Sequence, residues 1–145
     1  MVLGAVALAG LSALFVGVTA SHSSSPGLPA WVSDSAIHMA MSKDGGAMPS
    51  SAEWALTNAH ATARAVGLTS GNATEADRQQ VYIVVVHGNF VDNSWEPPWS
   101  NPRVPQGDTL VLVYDVALQR VTDESLGSGP VDTSAVGLLT PMPLN

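Results

Sequence analysis

Cysteine is absent from the chain, which excludes a disulfide framework and attachment of lipid through a leader cysteine. Basic residues are few: five Lys and Arg stand against twelve Asp and Glu, for a formal net charge of −7. The five, Lys43, Arg64, Arg78, Arg103 and Arg120, are scattered along the sequence, whereas holding a phosphate backbone requires clustered cations. Nucleic acid and anionic membrane surfaces are therefore poor partners, and the acidic balance reads as a solubility feature. Formal side-chain charge is missing altogether from residues 1–33, where His22 is the one titratable group.

What fills that uncharged opening is apolar sequence. From Met1 to Ala20 the polar residues are Ser12 and Thr19, and a helix of this length would rise roughly 30 Å, about the thickness of the hydrocarbon core of a bilayer. The segment reads as a membrane-targeting element and the chain as exported. Val18-Thr19-Ala20 offers small residues for signal peptidase, and the run from Ser21 to Pro26 follows as an extended spacer, which predicts cleavage near Ala20 and secretion. Against cleavage, the stretch is longer than a usual signal core and no basic residue precedes it, which predicts retention as a single membrane anchor. With no Lys or Arg before Lys43, the positive-inside rule assigns no orientation.

The remainder is enough for one small domain. The fold class expected is α+β: a hydrophobic N-terminal helix, then one main helix packed on a small antiparallel sheet of three to four strands. The divisions expected are 1–20, leader or anchor; 21–48, a linker with a short helix over Trp31–Met41 ended by Asp44-Gly45-Gly46; 49–126, the α+β domain; and 127–145, an irregular tail. The main helix is placed at Ser50–Val66, because Ser50-Ser51-Ala52-Glu53 has the S-x-x-E capping pattern and Leu56, Ala59, Ala63 and Val66 recur at helical spacing. Val81–Val91 is apolar on both alternating faces, as a central strand requires. Thr109–Val116 and Arg120–Leu126 follow as strands, and the short link between them demands antiparallel pairing. The more polar of the two belongs at an edge. Within the tail, Val136-Gly137-Leu138-Leu139 is an apolar patch suited to covering the sheet.

The order of helix, long strand and hairpin, with Leu110-Val111-Leu112-Val113-Tyr114-Asp115 leading through a short turn to Arg120-Val121-Thr122-Asp123, resembles small PepSY-like or cystatin-like secreted modules over Ser50–Leu126. Leu118-Gln119 stands where such hairpins carry a Thr-Gly pair. The chain also resembles exported proteins of actinobacterial type. The resemblance implies export and, for PepSY-like modules, binding or restraining a peptidase or acting as an envelope interaction domain; it transfers no site residue.

The most unusual internal segment is 92–108, where Trp95, Trp99 and prolines at 97, 98, 102 and 105 interrupt two strong strands. Proline lowers the ordering cost of such a connection, and two tryptophans four residues apart present flat apolar surface. Trp95, Trp99 and Arg103 are the candidate partner-binding residues. The competing reading has the tryptophans fold back and shield the sheet edge. For catalysis, His22, His38, His60 and His87 lack metal-ligand spacing. His60 and His87 could still meet across a helix–sheet interface, oriented by Asp92 or Asp115. Gly127-Ser128-Gly129 is not a G-x-S-x-G elbow, and Gly45-Gly46 is no phosphate loop. Asp123 and Glu124 alternate across a strand and point to opposite faces. Asn72-Ala73-Thr74 is a glycosylation sequon expected in a plain loop. No cofactor or metal is implied, and no catalytic residue is assigned. The functional expectation is an exported, non-enzymatic envelope or secreted interaction module acting through the 92–108 loop; the alternative is a small hydrolase or metal-dependent enzyme using His60 and His87.

Overall fold

Residues 80–91 carry β-branched or aromatic side chains at eight of twelve positions, without a break from Val81 to Val86, and such a run is stable only when both faces of its sheet are covered. In the computed structural model, which describes residues 27–67, 74–93 and 104–145, this run is β2, Gln80–Val91, the middle strand of a five-stranded antiparallel sheet. The fold is α+β with two helices. In chain order the elements are α1 (Ala30–Lys43), β1 (Ser51–Asn58), α2 (Ala59–Ala65), β2, β3 (Gln106–Asp115), β4 (Arg120–Gly127) and β5 (Thr140–Pro141), and across the sheet the strands run β4-β3-β2-β1-β5. The hairpin of β3 and β4 is antiparallel as its short link requires, with β4 at an edge. The expected hydrophobic helix at residues 1–20 lies outside the described residues.

Two expectations are corrected. Residues 50–66 are not one helix: Ser51–Asn58 is a strand paired residue for residue with β2, from Ser51 opposite His87 to Asn58 opposite Gln80. Alternation wins over the capping pattern, because Ala52 and Trp54 turn to one face and Ala55 to the other, all buried. Glu53 is thereby a strand residue, and the helix that follows is capped instead by Asn58, whose Oδ1 accepts the Ala61 amide at 2.9 Å. The sheet consequently has five strands where three to four were expected, gaining β1 and the two-residue β5 from the tail.

The main helix is α1, in the segment expected to be a linker with a short helix. Val32, Ala36 and Ala40, spaced four apart on one stripe, are each 0% exposed. The two alanines let the helix lie close on the sheet, while Trp31, Ile37 and Met39 pack at its flanks. Trp31 meets Tyr114 edge-on at 5.8 Å and Tyr82 at 6.5 Å, and Trp54 meets Tyr82 at 6.0 Å, geometries that aromatic quadrupoles favour. The helix ends at Asp44, where Gly45 and Gly46 take positive φ and the Gly46 amide returns to the Met41 carbonyl at 2.8 Å, the bonding of a Schellman stop.

α1 covers one face of the sheet over Tyr82, Val84, Val86, Leu110, Leu112 and Tyr114. The other face is smaller. Ile83, Val85 and Val111 are met there by Ala65 of α2 and by Val131, Val136 and Leu139 of the tail. The expected apolar patch thus covers the sheet through Val136 and Leu139, while Leu138 is 94% exposed. In the β3–β4 turn, Asp115 Oδ1 accepts the Leu118 amide at 2.7 Å and Gln119 adopts φ +50, filling the left-handed position where glycine is the usual occupant.

Candidate functional site

The expected partner-binding residues Trp95, Trp99 and Arg103 lie outside the described residues, as do Asn72 and Ala73 of the sequon. The two stems that carry the 92–108 connection are described. β2 and β3 stay paired up to Val91 opposite Gln106, after a register shift between His87 and Phe90. Gly88 makes that shift possible, since a Cβ there would strike the ring of Phe90 at 2.6 Å; the ring itself is fully buried. Beyond the last pair, the Asp92 amide donates to the Pro105 carbonyl at 2.9 Å, so the connection leaves the sheet through a closed neck.

Charge ties that neck to the rest of the molecule. Lys43 Nζ, at the end of α1, lies 2.6 Å from Glu124 Oε1 on β4 and 3.3 Å from Asp92 Oδ1 at the neck, with side chains 13%, 29% and 23% exposed respectively. Burial alone would lower the lysine's pKa, but the hydrogen bonds and charges of Glu124 and Asp92 outweigh it and hold the ammonium above its ordinary value. Asp44, next along, accepts the Asn89 amide on Oδ2 at 3.2 Å. One helix end, the outgoing stem and the edge strand therefore converge on a single cation.

The histidines are not brought together. His60 follows Asn58, which pairs with Gln80, whereas His87 pairs with Ser51; at about 3.3 Å per residue the two ends of that ladder are roughly 23 Å apart. The acids expected to orient them are engaged elsewhere: Asp115 accepts from Leu118 and from the Gln79 amide group, and Asp92 pairs with Lys43. His87 Nδ1 instead lies 3.5 Å from Thr109 Oγ1, whose hydroxyl donates to Asp108 Oδ1 at 2.8 Å. The Gly129 amide, foremost, and that hydroxyl hold the exposed Asp108 carboxyl below its usual range. These bonds lock Thr109 in place rather than freeing it as a nucleophile. Among the described residues no group of three or more His, Asp or Glu could hold a metal ion.

Cavities open on the sheet face that carries α2 and the tail, and two of them contain acidic side chains near the residues considered above. One, about 320 Å³, is lined by Glu53 and His87 with Val85, Val131 and Leu139 among its walls. The other, about 240 Å³, lies between α2 and the β2–β4 side of the sheet and contains Asp115 and Asp123. Asp123 and Glu124 do point to opposite faces, the first into this cavity and the second to Lys43. Glu53 was not recognisable as a cavity residue while it belonged to a helix cap; once Ser51–Asn58 is a strand, pairing with β2 sets Glu53 opposite Val85, beside His87. No family model, curated protein or solved structure matches the chain.

Proposed function

We propose that the protein is an exported, non-enzymatic interaction module that contacts an envelope or secreted partner through the 92–108 connection. One observation carries this reading: the connection springs from a neck closed by the Asp92–Pro105 backbone bond and fixed by the Lys43 ion pair. A loop held at a rigid base loses less entropy when a partner orders it, and binding residues concentrate on loops of this kind. The sequence of the loop, two tryptophans among prolines, suits an apolar or peptide surface. Export rests on the apolar run Met1–Ala20; among the described residues no helix is long and apolar enough to cross a membrane. A restraining contact with another exported protein is the role the PepSY-like resemblance implies.

The test pairs location with contact. Fractionation and intact mass of the native protein are expected to place it outside the cytosol, either shortened near Ala20 or held in the membrane. Crosslinking of intact cells is then expected to recover a partner with the native chain and to lose it with Trp95→Ala/Trp99→Ala, while circular dichroism stays unchanged. Full-length protein free in the cytosol, or undiminished crosslinking of the folded double variant, refutes the proposal.

A further inference from the structure

The two edges of the sheet are finished differently. On the β1 side the chain closes its own edge, with Thr140 and Pro141 pairing with Trp54 and Glu53 and the Met142 amide reaching the Ala52 carbonyl at 2.8 Å. On the other side β4 runs for eight residues, and among the described residues no backbone hydrogen bond reaches its outer edge. A row of open amides and carbonyls is a template for a further strand.

Beside this edge lies the 240 Å³ cavity beneath α2. Ala63 and Val66 form its roof and Val81 and Val113 its floor, while Thr122 and Asp123 of β4 stand at the edge side and Asp115 of β3 lies farther in. No basic residue lines it. Asp115 is 4% exposed, yet its carboxylate is met by neutral donors only, the Leu118 amide and the Gln79 side chain, and among the described residues it forms no ion pair. Arg120, its register partner, does not reach it. A cation entering this cavity would meet two carboxylates and no competing base. Asp123, unlike Glu124, has no cation among the described residues to compensate it.

We propose that β4 receives an extended segment of another protein as a sixth strand, with a lysine or arginine of that segment passing over Asp123 into the cavity toward Asp115. Backbone pairing supplies the affinity and the acid-lined cavity selects the side chain. In the register centred on Asp123 a second copy of this chain is a poor occupant, because antiparallel pairing of β4 with itself would set the two Asp123 carboxylates opposite each other, and like charges opposed across strands destabilise. The Asp123→Asn variant leaves the sequence of the 92–108 connection untouched, so its test fails or succeeds independently of the loop variants.

Full-length protein in non-ionic detergent is titrated with a fluorescein-labelled, capped Val-Thr-Lys-Val-Thr-Val peptide, followed by anisotropy and by hydrogen exchange. Binding is expected to saturate, to weaken by about tenfold or more when glutamine replaces the lysine, and to weaken similarly in Asp123→Asn, whose thermal midpoint stays that of the native chain. The bound peptide is expected to slow amide exchange across 120–127. Equal binding of the two peptides, absence of binding at millimolar peptide, or protection confined to another segment overturns the proposal. So does protection of 120–127 that rises with protein concentration when no peptide is present, which would identify a second copy as the occupant.

Discussion

Replacing Ala36 by leucine tests whether α1 is fused to the sheet or merely lies near it. Ala36 sits at the middle of the buried stripe, 0% exposed, with Val32 and Ala40 on either side and equally buried. Leucine adds three carbons where no space remains, and overpacking of this kind costs about 1–3 kcal/mol. A domain of this size loses stability at roughly 1–3 kcal/mol per molar urea, so a cost near the middle of the range moves the unfolding midpoint down by about 1 M. His38→Leu is the control: two positions along the same helix, exposed, it introduces the same side chain on the solvent side and is expected to stay within about 0.5 kcal/mol of the native chain. Urea titration at 25 °C followed by tryptophan fluorescence reads the difference, because Trp31 and Trp54 pack in the α1-side core. Coincident midpoints for Ala36→Leu and His38→Leu would refute close packing of the helix.

Lys43→Met is expected to cost about 1 kcal/mol in urea unfolding, the scale of a partly exposed ion pair, since it leaves Glu124 and Asp92 without their shared cation. The folded-state pKa of Lys43 is raised, so its contribution is complete below the ordinary lysine value of about 10.4 and is lost as pH rises through the higher folded value. The gap between native and Lys43→Met chains should accordingly close in strongly alkaline urea titrations and stay constant from pH 7 to 9. At the β3–β4 turn, Gln119→Val is expected to be less stable than Gln119→Gly by about 1 kcal/mol or more, because a β-branched residue tolerates φ +50 poorly and glycine adopts it freely; equal thermal midpoints would contradict the turn geometry.

The strands β2 and β3 were legible in the sequence because their apolar runs are long, β-branched and bounded by turn residues, and β4, a polar strand, followed from the short link that returns the chain beside β3. α1 was legible as a short helix over Trp31–Met41 stopped by Asp44-Gly45-Gly46, but its place as the main helix of the core and the strand at Ser51–Asn58 were not. Ser50–Val66 reads as one helix from its S-x-x-E start and the spacing of Leu56, Ala59, Ala63 and Val66, but pairing with β2 decides residues 51–58, and tertiary context routinely overrides such local signals. The buried stripe of α1 is hidden in the sequence because two of its three members, Ala36 and Ala40, are small, while the bulkier Trp31, Ile37 and Met39 flank it. The mistaken helix carried the site reading with it: were 50–66 a single helix, His60 would lie across the sheet, but β1 carries it to the Gln80 end of β2, away from His87. The junction of Lys43, Asp92 and Glu124 was equally hidden, since its members are far apart in sequence and only the sheet order brings them together. The alternation of Asp123 and Glu124 was legible, because in a strand the side to which a residue points follows from counting by two.

The pairing of Glu53 with Pro141 has a temporal consequence. Synthesis proceeds from the amino end at a limited pace, so β1 is made long before its outer neighbour exists, and Trp54 and the Ala52 carbonyl wait uncovered until residues 140–142 leave the ribosome. Completion of this sheet edge thus waits until residues 140–142 have been made.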